Sequence, residues 1–117
     1  MFRSSDPGTD AIFCGSDQIA RGVSDALRES GRRVPDDIAL VGYDNWHVFA
    51  MTSRPPLTTV DMRLEELGRL AARRLLASID SNPSYGLELL PCHLVIRESS
   101  GMAPTPPPTP PPAVSSA

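Results

Sequence analysis

The unbroken apolar run Ile38-Ala39-Leu40-Val41 constrains the fold of this chain more than any other stretch. Pro35-Asp36-Asp37 leads into it as a turn, and it ends abruptly at Gly42-Tyr43-Asp44-Asn45-Trp46. A strand with one wet face alternates polar and apolar side chains, so a run that is apolar throughout predicts a strand, Ile38 to Tyr43, covered on both faces. Such strands belong to parallel sheets flanked by helices. In open parallel sheets ligands collect beyond the carboxyl ends of the strands, which makes Asp44 a candidate ligand contact on position alone.

The segment before this run completes a βαβ unit. Ala11-Ile12-Phe13-Cys14 is a short apolar run closed by Gly15, and Ser16-Asp17 follow as residues suited to cap a helix. From Asp17 to Ser30 the apolar residues Ile19, Val23, Ala26 and Leu27 make one stripe, with Arg21, Asp25, Arg28 and Glu29 on other faces. Gly31 is placed to end the helix in the left-handed conformation, and Arg32 and Arg33 sit where the helix dipole favours cations. Strand, helix and strand with short connections predict a right-handed parallel crossover. Ser16-Asp17 and Asp44-Asn45-Trp46 then share one edge of the sheet, where they can meet one ligand.

Beyond Trp46 the pattern weakens. His47 to Arg54 has little periodicity, and Pro55-Pro56 enforces an extended path into the β-prone run Leu57-Thr58-Thr59-Val60. Asp61 is expected to cap a second helix, Arg63 to about Ile79. Its stripe is Leu64, Leu67, Ala71, Leu75 and Ile79, widened by Gly68, Ala72 and Leu76, and Glu65 and Arg69 form an i,i+4 pair. Asp80 to Gly86 is a loop, and Leu89 to Arg97 is expected as a last strand, edged or interrupted by Pro91. Residues 1–9 are polar, with turn chemistry at Asp6-Pro7-Gly8, and are expected as disordered or linker sequence. The tail from Gly101 contains PTPPPTPPP and is expected to be disordered or polyproline-like, a spacer more than a ligand for an SH3-type partner. One folded unit over residues 10–100 is what a chain of 117 residues with such ends can hold.

Composition narrows the function classes. A formal net charge of -3 gives no overall basic field for phosphates, so direct DNA contact is not expected. Cys14 and Cys92 match no zinc spacing and are too few for a disulfide framework, and both are expected as buried free thiols. His47 and His93 have no carboxylates at ligand spacing, so no metal site is expected, and nothing calls for a cofactor. Cys14-Gly15-Ser16-Asp17 lacks the glycine-x-serine-x-glycine frame of a nucleophile elbow. With no nucleophile–base pair or phosphate loop, an enzyme on a flavodoxin-like sheet has no support. No apolar stretch is long enough to span a bilayer and the first residues lack a secretory h-region, so a cytoplasmic protein is expected.

The stretches AIFCGSDQIARGVSDALRESGRRVPDDIALVGYDN, RPPLTTVDMRLEELGRLAARRLLASI and LLPCHLVIRESS stand in an order and spacing that belong together. From Asp10 to Ser100 the chain resembles the C-terminal part of the effector-binding region of lactose-repressor-type (LacI/GalR) bacterial transcription regulators, whose fold is that of periplasmic sugar-binding proteins. The resemblance implies an α/β chain with a partial periplasmic-binding-protein-like fold, a parallel sheet with flanking helices. In such regulators a helix-turn-helix head and a hinge helix precede two lobes that close on a small molecule. A truncated gene product, or one segment of a longer one, is therefore expected, reaching DNA only through a head it does not encode. In the family the helix corresponding to Arg63–Ile79 packs on the other lobe, so its stripe is expected to face water here.

The resemblance also carries site residues. The position of Asp44 hydrogen-bonds the effector, commonly through sugar hydroxyls, and an ionised carboxylate accepts two of them at once. The plainer role is to start a turn after Gly42. Ser16 matches a ligand-contacting position or is simply a helix cap, and Asp17 is a second effector-site candidate whose leading role is the cap itself. Trp46, the only tryptophan, can stack on a pyranose ring or pack in the groove or at a subunit interface. Leu64 lies near the lobe crossing, as a ligand contact or as core. Met62 stands where relatives frequently carry Gln, which removes a polar contact and leaves the effector's identity open. Ile19, Val23 and the segment from Phe49 to Arg54 fall where family members pair into homodimers, although Ile19 and Val23 also suit ordinary core.

The expected function is thus the effector-binding and dimerisation portion of a LacI-type regulator, with a small molecule, a sugar by resemblance, controlling a DNA-binding head. The alternative is a piece of a periplasmic sugar-binding transport protein, which shares the fold but would carry a secretory leader. One lobe buries little of a ligand, so weak or undetectable affinity for free sugars is expected.

Overall fold

The computed structural model describes residues 8–101, so Asp6-Pro7 and most of the proline-rich tail, residues 102–117, lie outside the described residues. The elements run β1 (Ala11–Phe13), α1 (Asp17–Glu29), β2 (Ala39–Tyr43), α2 (His47–Thr52), β3 (Thr58–Asp61), α3 (Leu64–Ile79), β4 (His93–Val95) and a closing 3-10 turn, Glu98–Ser100. They form one four-stranded sheet in the order β1-β2-β3-β4. The first three strands are mutually parallel, in register at Ile12 with Leu40 and at Gly42 with Thr59. β4 is antiparallel to β3, with Val60 opposite Leu94, so the sheet is parallel except for this edge strand. The chain leaves β3 at Asp61, makes its excursion through α3, and re-enters beside the same strand end at His93 without crossing over. β4 is also shorter than the span from Leu89 to Arg97, since Pro91 has no N–H to give a ladder.

Local chemistry sets α1. Ser16, in extended conformation, is the N-cap, and its hydroxyl accepts from the Ile19 amide at 3.2 Å. The other end closes as a Schellman motif: Gly31 has φ of 77°, its N–H donates to Arg28 O at 3.1 Å, and Arg32 N–H donates to Leu27 O at 2.9 Å. The buried face is Asp17, Ala20, Ser24 and Leu27, a rotation away from the stripe expected from Ile19 and Val23. Ile19 is 57% exposed, and Val23 packs only partly against the core. The reason is close packing: small side chains let α1 settle onto β2, and the Ser24 hydroxyl is satisfied by Arg54 O at 3.1 Å.

That approach explains Gly42. A Cβ there would lie 2.2 Å from Asp17 Oδ1 and 3.4 Å from the Ala20 Cβ. Around this contact Cys14, Ala20, Leu40, Ala50 and Leu57 form the core, with Ile12, Val23 and Val34 packed against it. The Ser99 hydroxyl closes the far end of the sheet, donating to Leu40 O at 2.5 Å and accepting from Thr58 N at 2.8 Å.

The strand expected to be covered on both faces is covered on one. Leu40 and Gly42 are buried while Ala39, Val41 and Tyr43 are half-buried, and Phe13, in register beside Val41, is 65% exposed. α2 was not foreseen, because six residues headed by Trp46 without a side-chain cap give no periodic signal. Asp61 ends β3 and does not cap α3; the N-cap is Arg63, at φ of 55°. None of the α3 residues is buried, in line with the expected wet stripe. Cys14 is buried, and burial pushes its thiol up, whereas Cys92 is exposed, contrary to expectation, because it precedes a short edge strand. Among the described residues no helix is long and apolar enough to cross a membrane.

Gly42→Ala is expected to lower the unfolding free energy by about 2 kcal/mol through overpacking against Asp17. Gly22→Ala, where nothing lies within 4 Å of the new Cβ, is expected to raise it by about 0.5–1 kcal/mol through helix propensity. Urea denaturation of the two variants checks the contrast.

Candidate functional site

Three strand ends converge at one edge. β1 hands over to Ser16 and Asp17, β2 to Asp44, Asn45 and Trp46, and β3 to Asp61, Met62, Arg63 and Leu64. The β2 exit turns sharply, with Asp44 at φ of 108° and Asn45 at 49°. Asn and Asp tolerate positive φ better than other side-chain-bearing residues, but the surroundings must still hold the conformation. The Asp44 amide donates to Val60 O at 2.9 Å. Asn45 donates from its amide to Thr59 Oγ1 at 3.2 Å and from Nδ2 to Asp61 Oδ2 at 3.1 Å, and its Oδ1 accepts from the Arg97 guanidinium at 2.9 Å.

Asp17 anchors this network from below and is fully buried. Its Oδ1 accepts from the Thr59 hydroxyl at 2.5 Å and its Oδ2 from the Trp46 amide at 2.7 Å. Ser16, not Asp17, is the cap, and both Asp17 oxygens are engaged inside the protein. Ser16 is also engaged, through Ile19 N.

Arg97 reaches across with a second bond to Leu57 O at 2.8 Å. Burial pulls its guanidinium down, while the Asp17 and Asp61 carboxylates push it back up. Asp61 is held below the usual carboxylate range, first by the Arg63 N–H at 2.7 Å and then by Asn45 Nδ2.

Above the network lies a depression of about 430 Å³ lined by Asp44, Asn45, Trp46, His47, Met62 and Leu64. The fold therefore brings Asp44, Trp46 and Leu64 together from among the expected contacts, and leaves Ser16 and Asp17 out of the lining. Among the described residues nothing donates a hydrogen bond to the Asp44 carboxylate. Trp46 is 54% exposed and meets the Phe49 ring edge-on, with centroids 4.9 Å apart at 76°. A free carboxylate beside an indole and two flexible apolar side chains can accept hydroxyl hydrogens while covering a ring face. Among the described residues no group of three or more His, Cys, Asp or Glu could hold a metal ion.

α1 and α2 lie side by side, tied by Arg21 Nη1 to Thr52 Oγ1 at 2.9 Å. Ile19 and Arg54 are exposed there, Phe49 is half-buried under Trp46, and Val23 faces the core. Sequence reasoning missed Thr59, Asn45, Asp61 and Arg97 as a unit. Arg97, a cation following the apolar Leu94-Val95-Ile96, was the one available signal, since a strand interior tolerates a charge only with partners.

Comparison with known proteins bears on the fold. The periplasmic binding protein-like domain matches residues 2–100. The HTH-type transcriptional regulator CelR of Thermobifida fusca is 43% identical over 94 residues, covering 80% of this chain and 27% of CelR. The NTD biosynthesis operon regulator NtdR of Bacillus subtilis is 38% identical over 92 residues, covering 77% and 28%. Among solved structures, a CelR–cellobiose complex superposes with TM-score 0.70 at 41% identity, covering 80% of this chain and 28% of that one. A Lac repressor dimer bound to operator and the anti-inducer ONPF superposes with TM-score 0.72 at 37% identity, covering 78% and 32%. The chain thus spans 27–28% of the length of these curated relatives.

Asp17→Asn cannot accept at both oxygens and is expected to cost about 1–3 kcal/mol, with a shifted Trp46 emission, both measurable in one urea titration followed by fluorescence. Asp61 gives a pH signature. Its folded value is depressed, so its stabilisation is present above the ordinary carboxylate range and is lost as pH falls through the folded value. The excess stability of the wild type over Asp61→Asn is expected to shrink as pH is lowered below about 4, as read by thermal melts across pH.

Proposed function

The chain belongs to the periplasmic binding protein-like family, and on that footing we propose that it forms one wall of the effector cleft of a LacI-type transcription regulator, binding a small polyhydroxylated molecule such as a sugar. The observation that carries this is the depression at the carboxyl edge, where an unengaged Asp44 carboxylate stands beside Trp46, Met62 and Leu64. Asp44 accepts hydroxyl hydrogens, the Trp46 indole covers the apolar face of the ring, and Met62 and Leu64 supply apolar contact. Ser16, outside the lining, caps α1, and Asp17 acts through Trp46 and Thr59 by holding the loop. The cellobiose complex of CelR supports a sugar as the class of effector.

The rest of the reading follows from the same relatives. The task is binding and not turnover, in the cytoplasm, with DNA contacted by parts of the regulator that this chain does not match. Homodimerisation falls to the α1–α2 face, with Ile19, Phe49 and Arg54 at the contact and Val23 behind them. Effector binding at the cleft then biases the geometry of the dimer and, through it, the DNA-binding parts.

Trp46 is the only tryptophan, so its fluorescence reports on the proposed site. Cellobiose is expected to shift the emission at millimolar concentration, and Asp44→Ala to weaken binding by about tenfold or more, as loss of a charge-assisted acceptor does. An affinity for cellobiose unchanged in Asp44→Ala would contradict the proposal.

A further inference from the structure

Two residues with side chains adopt the left-handed conformation within reach of one carboxylate. Asn45, on the loop that leaves β2, has φ of 49°, and Arg63, the N-cap of α3, has φ of 55° and ψ of 46°. Neither is a glycine, so each conformation is unfavourable on its own and is held by its surroundings. Asp61 supplies a partner to both. Its Oδ1 accepts from the Arg63 N–H at 2.7 Å, and its Oδ2 accepts from Asn45 Nδ2 at 3.1 Å. The Arg63 side chain is engaged elsewhere, by Glu66 and by Pro91 O at 3.4 Å.

Chemistry fixes the direction of each bond. An ionised carboxylate only accepts and a guanidinium only donates, so between Asp61 and Arg97 the Asn45 amide has one orientation, with Nδ2 toward Asp61 and Oδ1 toward Arg97. A carboxamide at position 61 could not replace the carboxylate, because two donors meet two different oxygens and it offers one. It would hold Arg63 or Asn45, not both. What lies beyond Arg63 makes this matter. No α3 residue is buried, so among the described residues the direction of α3 is set at its attachments, the joint at Met62 and Arg63 and the return through Pro91.

We propose that Asp61 is a positioning residue that couples the loop bearing Asp44 to the direction of α3. A shift of Asn45 moves the oxygen it binds, and the same rigid carboxylate carries the shift to the Arg63 N–H. A ligand that draws Asp44 and Asn45 toward itself therefore turns α3, and a turned α3 resets the loop, as linkage requires. Use of this link by an effector rests on the function proposed above. The link itself rests on the geometry of Asp61 and is tested without any ligand.

The test is nuclear magnetic resonance of the full chain. A helix that turns as a rigid body keeps its own amide shifts but changes its dipolar couplings relative to the sheet, so both are measured. Asn45→Asp sets two carboxylates face to face and is expected to move the Arg63 amide resonance and to change the dipolar couplings of residues 64–79 against those of the three parallel strands. Asp61→Asn, which loses one bond, is expected to move the Asn45 side-chain amide resonances. Combining the two substitutions restores every donor–acceptor pair: the new carboxylate at position 45 accepts from Arg97 and from the new amide at position 61, whose oxygen accepts from the Arg63 N–H. The combined variant is expected to return the Arg63 resonance and the α3 couplings toward their wild-type values, whereas two independent lesions would add. An Arg63 resonance and α3 couplings that stay in place in Asn45→Asp overturn the proposal. So does a combined variant whose changes equal the sum of the two single ones, which makes Asp61 an ordinary structural group.

Discussion

One buried carboxylate ties the three parallel strands together. Asp17 begins α1, yet its side chain turns inward, where one oxygen accepts from the Thr59 hydroxyl on β3 and the other from the Trp46 amide past β2. An unpartnered polar group in that position would carry a heavy desolvation cost, so the two donors are requirements of the fold as much as consequences of it. β2 bears a glycine where the carboxylate passes because any Cβ would occupy the space of Asp17 Oδ1. Helix start, strand spacing and loop position are therefore one constraint with three visible ends.

The site inherits its shape from that constraint. Asp44 and Asn45 adopt positive φ only because Val60, Thr59, Asp61 and Arg97 bind the loop from several directions. All of these bonds go to backbone atoms or to Asn45, and Asp44 lines the depression with a carboxylate that accepts no hydrogen bond from the described residues. Rigid support beneath an unengaged acceptor keeps the cost of ordering low when a ligand arrives. The surfaces that remain open are of a different kind: α3 and the Phe13 side of the sheet expose apolar groups with no polar anchor, as contact surfaces do.

Much of this was legible in the residues. The apolar run from Ile38, the Ser16 cap, the Gly31 stop and the position of Asp44 beyond a strand each follow from local rules, and all stand in the structure. The buried face of α1 was misjudged because hydrophobicity ranks Ile19 above Ala20 and Ser24, whereas close packing on β2 favours small side chains. α2 is too short to show a period, and the direction of β4 depends on where the chain re-enters the sheet, which no local pattern records. The network of Asp17, Thr59, Asn45, Asp61 and Arg97 joins residues far apart in sequence. The double cover predicted for β2 failed because Phe13 and Val41 lie on a sheet face that the described residues do not cover.

The most direct measurement is an amide-resolved nuclear magnetic resonance titration of the chain with cellobiose. The expected result is a set of dose-dependent shifts confined to Asp44 through His47, Met62 through Leu64 and the Trp46 indole N–H, with Leu75 through Ile79 unmoved. Shifts centred on α3 or on the α1–α2 face, with the carboxyl edge silent, would contradict the assignment of the ligand wall to this edge.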